Sequence, residues 1–218
     1  MRGWLLGMLV CSGLAAGGAA LSNDLSTNAG PEAKRTQQPL LEASRARIFL
    51  TRAQVSAALA KGEIDRPIKS LLNVPSPLLY GEFVWRDAGV PAGPVWVRVD
   101  LDSQLISVFR SGHEIGTAVI LYGAEDKETP VGVFPILSKY KDHRSSSYDA
   151  SMPYTLRLTP DGVSIHGSDV RWGYGTHGCI GVPLAFAERL FKETRRGDDV
   201  LIVSKSHAPD HSSSRASA

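Results

Sequence analysis

Cysteine is almost missing from this chain: two in 218 residues, too few for the disulfide framework that holds small secreted domains together. Charge of one sign is missing as well. With 24 Lys and Arg against 22 Asp and Glu the formal charge is +2, and nucleic-acid binding, which needs clustered cations to displace counterions from phosphates, is set aside. No internal repeat, collagen-like period or coiled-coil pattern is visible. The apolar run at 4–16 falls short of the roughly 20 residues that cross a bilayer core. What remains, 43% hydrophobic with 21 Gly and 13 Pro, is an ordinary globular composition with room for one domain and appendages.

The short apolar run has its own meaning. Arg2 supplies a positive flank, and Gly18, Ala19 and Ala20 form a small-x-small cleavage pattern, so residues 1–20 read as a secretory signal peptide. A lipid-bearing Cys11 is disfavoured because Val10 precedes it where a small residue is expected. Cleavage removes Cys11 and leaves Cys179 alone, with no integral membrane span. A lone thiol cannot form an intramolecular disulfide, and in an oxidising compartment it is open to irreversible oxidation unless its chemistry is needed. The bland alternative is a buried, inert cysteine.

Residues 21–44 are polar and aperiodic and read as a flexible tether. Thr51 and Gln54 then fit a capping box, with Val55 and Leu59 on one face and Gly62 as the stop, predicting a short helix. Its segment, 45–93, carries Pro67, Pro75, Pro77 and Pro91 and is expected to pack irregularly on the main domain. From Pro94 the pattern changes to alternation, with Val95, Val97 and Val99 on one side and Trp96, Arg98 and Asp100 on the other, as in a half-buried strand. Further strands are expected at 105–110, 115–121, 131–139, 154–158, 163–166 and 200–203, in an antiparallel sandwich or barrel-like sheet. One principal helix is expected from Pro183 to Arg196, with the apolar pairs Phe186/Leu190 and Ala187/Phe191 and cations toward its end. The domain is therefore placed at 94–204, and the Ser-rich tail, 205–218, is expected to be disordered.

The chemistry concentrates at 165–181, where His166, His177 and Cys179 fall close together. A cysteine nucleophile needs a basic partner and amide donors for the oxyanion it creates. His166 ends a predicted strand, and Gly173, Gly175 and Gly178 let the following loop fold back toward Cys179. The amides of Gly178 and Cys179 are candidate oxyanion donors. A zinc site from His166, His177 and Cys179 lacks a clear fourth ligand.

These residues carry a resemblance. His166-Gly167 followed by Thr176-His177-Gly178-Cys179-Ile180 is similar to the signature of the L,D-transpeptidases, cysteine enzymes of bacterial peptidoglycan. Thr129-Pro130-Val131-Gly132-Val133-Phe134 and Met152-Pro153-Tyr154 resemble further elements of that family, over roughly 94–203. The resemblance implies a mainly β sandwich with its site beside the cysteine loop. It makes Cys179 the nucleophile, His166 the base and acid, the carbonyl of Gly167 the group that holds the His166 ring, and His177 and Thr176 orienting residues. It implies a thioester intermediate on peptidoglycan stem peptides, loss of D-Ala and 3→3 cross-links, with no metal or cofactor and with acylation by carbapenems. It also implies export to the periplasm or cell envelope. Gly181 departs from the pattern, since the family usually has Arg there. Arg171 is the candidate replacement and Tyr154 a candidate substrate contact. An L,D-carboxypeptidase, with water as acceptor, and a non-catalytic wall-binding module are the competing readings.

Overall fold

The computed structural model describes residues 46–123, 128–145 and 149–204. The expected leader at 1–20, tether at 21–44 and tail at 205–218 lie outside the described residues. The elements run β1 (Arg47–Phe49), α1 (Arg52–Ala60), β2 (Ser70–Leu72), β3 (Phe83–Trp85), β4 (Val95–Asp100), β5 (Leu105–Arg110), β6 (His113–Val119), β7 (Gly132–Pro135), β8 (Ser138–Tyr140), β9 (Thr155–Arg157), β10 (Ser164–Ser168), β11 (Ile180–Pro183), α2 (Leu184–Glu193) and β12 (Asp199–Val203).

Two sheets face each other. The larger has the order β1-β2-β6-β5-β4-β12-β7, with β3 also paired to β6, and the smaller the order β11-β10-β9-β8. Alternation along each strand supplies the core between them. Val97, Val99, Ile106, Val108, Ala118 and Ile120 come from the large sheet, Leu156, Ile165, Ile180 and Val182 from the small one, and Phe186 and Leu190 from α2. Each large side chain fully removed from water in this layer contributes roughly 1.5–3 kcal/mol. The mainly β sandwich with a helix after Cys179 is the architecture expected.

Three details differ from the expectation. The apolar run at 131–139 is two strands. Gly132–Pro135 pairs with β12 in the large sheet and Ser138–Tyr140 with β9 in the small one, so the chain changes sheets at Ile136, whose side chain is buried. The sheets are mixed and not purely antiparallel, because β12 runs parallel to β4, β2 to β6 and β11 to β10. Hydrophobic periodicity carries no information on strand direction, which is set by the connections. Finally, α2 stops at Glu193 instead of Arg196. Thr194 turns extended, with φ −86° and ψ 160°, and the Lys139 ammonium donates to the carbonyls of Phe191 and Thr194, a cation at the negative end of the helix dipole.

The described part of segment 45–93, residues 46–93, is more ordered than its prolines suggest. Thr51 caps α1 with both halves of the capping box, its hydroxyl accepting from the Gln54 amide and the Gln54 side chain accepting from the Thr51 amide. Beyond the helix the segment adds β1, β2 and β3 to the large sheet. It covers the outer face of β4, where Trp96 stacks on Phe109 with centroids 4.2 Å apart and both pack with Ala58, Ile64, Ile68 and Leu71. Arg98, on the same face, is paired with Asp65 and Asp100. Strand β4 is therefore buried on both faces, not half-buried.

Glu114 fastens this cover. Its fully buried carboxylate accepts the Leu72 amide at 2.7 Å and the Ser107 hydroxyl at 2.7 Å, joining β2, β5 and β6, while Arg47 donates to the Glu114 carbonyl at 2.6 Å. Removing the acceptor strands buried donors, at about 1–3 kcal/mol each. Glu114→Ala is expected to lower the unfolding free energy measured in urea by roughly 2–4 kcal/mol. A change below about 0.5 kcal/mol, the range of ordinary surface substitutions, contradicts this role.

Candidate active site

Parallel neighbours cannot be joined by a hairpin and need a crossover. Between β10 and β11 that crossover is the stretch from Asp169 to Cys179, so the glycine-rich loop of the motif is a topological necessity as well as a chemical one. The register pairs Ile165 with Ile180 and His166 with Gly181. Because Ile165 and Ile180 both point into the core, alternation turns Ser164, His166, Ser168, Cys179 and Gly181 to the opposite face. That face walls a cleft of about 710 Å³, lined by Cys179, His166, Ser164, Ser168, Thr176 and His177 among others.

The orientation of His166 follows from one bond. Its Nδ1 lies 3.0 Å from the carbonyl oxygen of Gly167. A carbonyl only accepts, so Nδ1 carries the proton and Nε2 keeps its lone pair. The Ser168 hydroxyl is a second neighbour of Nδ1, at 3.2 Å. Burial, partly offset by the Gly167 carbonyl and reinforced by the nearby His143, pushes the His166 pKa below its ordinary value. The resting ring is thus a neutral base at pH 7, and the Cys179 Sγ lies 3.9 Å from the carbonyl oxygen of Gly162.

The turn that presents Cys179 is held from behind. Gly178 has φ +92°, a left-handed conformation open to glycine at no steric cost. Its carbonyl accepts from the Thr129 hydroxyl at 3.2 Å, and the same Thr129 oxygen accepts the Gly123 amide at 2.9 Å. Since a trans peptide sets N–H opposite C=O, the Cys179 amide points away from Thr129. The Thr176 hydroxyl donates to the Cys179 carbonyl, and backbone bridges tie Leu121 to Gly181 and Gly123 to Thr176. Thr129 opens the Thr-Pro-x-Gly-x-Phe element, whose position behind the cysteine turn is not readable from spacing alone.

Gly181 has a steric explanation. A Cβ there would lie 2.8 Å from the Ser168 Oγ and 3.0 Å from its Cβ. Ser168 occupies the space a side chain at 181 needs, and it is the same Ser168 that touches His166. Gly167 is similarly confined, its missing Cβ facing Leu184 at 2.9 Å and Pro153 at 3.2 Å.

Two candidate substrate contacts sit elsewhere than the sequence reading put them. The Tyr154 ring packs edge-on against Phe191, with centroids 5.8 Å apart, and joins the core; it does not line the cleft. Arg171 is exposed with its guanidinium held by Asp169 at 2.7 Å, also outside the cleft lining. Met152, Asp169, His143 and Arg157 do line it. His143, which shows no partner in the sequence, stacks on Tyr140 with centroids 5.3 Å apart. The Arg157 guanidinium donates to the Thr159 and Pro160 carbonyls, which fixes a cation at the cleft wall.

Two outcomes are expected. Gly181→Ala should displace the Ser168 hydroxyl and lower kcat about fivefold, the value of one hydrogen bond of about 1 kcal/mol. Adding it to Ser168→Ala should then cost little more, and fully additive losses in the double-mutant cycle contradict the coupling. Separately, a base whose pKa is lowered stays deprotonated into mild acid. The acid limb of the kcat/KM profile should accordingly fall below pH 6.5, the ordinary histidine value, and a limb above 6.5 contradicts the assignment.

The family model of the YkuD L,D-transpeptidase catalytic domain matches residues 94–202. No protein with a curated function matches the chain. Among solved structures, an L,D-transpeptidase from Stackebrandtia nassauensis is 24% identical over 52% of this chain, with TM-score 0.48. One from Mycobacterium smegmatis is 21% identical over 50%, with TM-score 0.47, and one from Mycobacterium tuberculosis H37Rv is 25% identical over 50%, with TM-score 0.46. The chain spans 57%, 58% and 57% of the lengths of these three. With half of its length matched by the family model, and with the cysteine and histidine of the signature walling one cleft, the chain belongs to the L,D-transpeptidase family.

Proposed function

We propose that this protein is an exported acyltransferase of the cell envelope that remodels peptidoglycan stem peptides through a thioester on Cys179. The observation that carries the reading is that His166, on β10, and Cys179, the loop residue immediately before the parallel neighbour β11, line one cleft, with the histidine tautomer set by the Gly167 carbonyl. A neutral Nε2 in that position takes the thiol proton as the sulfur attacks a peptide carbonyl. The C–S bond forms, the C–N bond breaks, and His166 passes the proton to the departing amine, which is D-Ala in a stem tetrapeptide. An acceptor amine then attacks the thioester. Its proton returns through His166 to the thiolate, and the new amide is a 3→3 cross-link.

The oxyanion is assigned to the amides of Gly178 and Cys179. What supports this is the left-handed turn at Gly178 and the anchoring of the carbonyl side of the same peptide by Thr129. His177 and Thr176, both in the cleft wall, shape the turn. Arg157 takes the place first given to Arg171 as the cation facing a substrate carboxylate, and Tyr154 is given no substrate role. Every step uses side-chain and backbone groups of the chain and no cofactor. The leader at 1–20 supports delivery across the inner membrane to the periplasm. Among the described residues no helix is long and apolar enough to cross a membrane.

The test is incubation of the purified protein with disaccharide-tetrapeptides and mass spectrometry of the products. Wild type is expected to release D-Ala and form cross-linked dimers, to accumulate a covalent acyl adduct on Cys179 with a carbapenem, and Cys179→Ala to do neither. Tripeptide alone identifies water as the acceptor and a carboxypeptidase. Binding to sacculi with no product and no adduct identifies a non-catalytic module and contradicts the proposal.

A further inference from the structure

A second cavity, of about 280 Å³, lies on the outer side of the catalytic loop, walled by Tyr80, Trp172, Ser103, Gln104, Thr117 and Leu78 among others. Three features set it apart from a packing gap. Its floor holds two buried hydroxyls, Thr117 Oγ1 and Ser103 Oγ, that have no hydrogen-bond partner among the described residues. Thr117 is 1% exposed, and a buried hydroxyl left unpaired costs free energy that native folds rarely leave uncompensated. Its rim holds Trp172, 80% exposed, set edge-on to Tyr80 with centroids 5.7 Å apart. Between rim and floor sits Gln104, in a left-handed backbone conformation with φ +54°. Its Oε1 accepts from the Tyr80 hydroxyl at 2.6 Å, which leaves its two amide N–H donors for something else.

This chemistry suits a sugar. A pyranose presents C–H patches to aromatic faces and hydroxyls at its edges. A 2-acetamido group adds one carbonyl acceptor, one N–H donor and a methyl group. Trp172 and Tyr80 offer amphipathic rings, Gln104 offers donors to the carbonyl, Ser103 and Thr117 each donate and accept, and Leu78 and Val119 supply apolar wall. The volume is many times the roughly 30 Å³ of one water and lies just below the roughly 300–1,000 Å³ range of ligand pockets, which suits one ring and not a peptide strand.

The position links it to the active site. Trp172 belongs to the crossover loop whose Asp169 and Tyr174 line the catalytic cleft, so one loop walls both cavities. The other wall comes from residues 77–80, and the adjoining Gly81 lies so close to the loop that a Cβ there would be 3.3 Å from the Val170 carbonyl. We propose that this cavity is a glycan subsite that binds an N-acetylhexosamine of the peptidoglycan strand while its stem peptide occupies the cleft. The proposal deepens the peptidoglycan reading above and rests on it, and it gives segment 45–93 a role in substrate recognition.

The test has a binding arm and a kinetic arm, with Thr117→Val and Trp172→Ala. In the first, peptide-free strands of alternating N-acetylglucosamine and N-acetylmuramic acid are titrated into the protein and followed by calorimetry, with no turnover required. Wild type is expected to bind. Thr117→Val should bind about tenfold more weakly, the loss of one buried hydrogen bond, and Trp172→Ala should show no binding. Thr117→Val removes an orphaned hydroxyl at nearly constant shape, so its melting temperature should be unchanged or higher. In the second arm, for disaccharide-tetrapeptide Thr117→Val should lower kcat/KM about tenfold and Trp172→Ala by more, and both should leave the free tetrapeptide unaffected. Absence of glycan binding by wild type, or equal losses on both substrates, overturns the subsite. Glycan binding without turnover of either substrate leaves the subsite standing and overturns the catalytic reading instead.

Discussion

The parallel pairing of β10 with β11 is the constraint on which the site depends. It sends Ile165 and Ile180 into the core and so obliges His166 and Cys179 to share the other face. It also makes a hairpin impossible and forces a crossover, which is the loop that bears Thr176, His177 and Gly178. His166 on β10 and Cys179 just before β11 are therefore positioned beside contacts that hold the sandwich together, with the turn between them tied by Thr129 and Thr176. Chemistry placed on strand ends and supported by a packed layer is the arrangement that keeps reacting groups in register.

Around that pairing the fold adds restraints one at a time. The Gly167 carbonyl fixes the His166 tautomer. Ser168 backs it in space that Gly181 leaves open. Thr129 holds the carbonyl side of the cysteine turn and, through Gly123, ties it to the end of the β6 region. Ser168 fills the space that a side chain at 181 would need, and Arg157, on a different strand, is a cation of the cleft wall. Segment 45–93, by covering Trp96 and Phe109 and meeting the crossover loop at Gly81, turns an exposed sheet face into a scaffold for the rear of the site.

Much of this was readable in the residues. The capping box at Thr51 and Gln54 is local chemistry and forms as written. Strand β5 falls on the run at 105–110 that follows the Asp102-Ser103 turn, and the histidine, glycine and cysteine motifs mark residues that line the cleft. What escaped was non-local. Strand β11, Ile180–Pro183, is four residues with no alternation to see, because both its faces are buried. Strands β1 to β3 are three residues each, too short for a period; β2 and β3 exist because β6 offers them an edge, and β1 because β2 does. Tyr154 is suggested by the resemblance of its segment and Arg171 by its place in the loop between the two motifs, whereas Phe191 and Asp169 claim their side chains in space. Arg157, one arginine on a short strand, is a candidate by residue type alone, since nothing local shows that it lines the cleft.

The central claim is that His166 rests neutral, protonated on Nδ1, with Nε2 free to act as the base for Cys179. The most direct measurement is the ¹⁵N NMR spectrum of the His166 ring as a function of pH. The account predicts a protonated Nδ1 and an unprotonated Nε2 at pH 7, with titration to imidazolium only below the ordinary histidine range. A ring protonated on Nε2 at pH 7, or an imidazolium persisting to neutral pH, contradicts it.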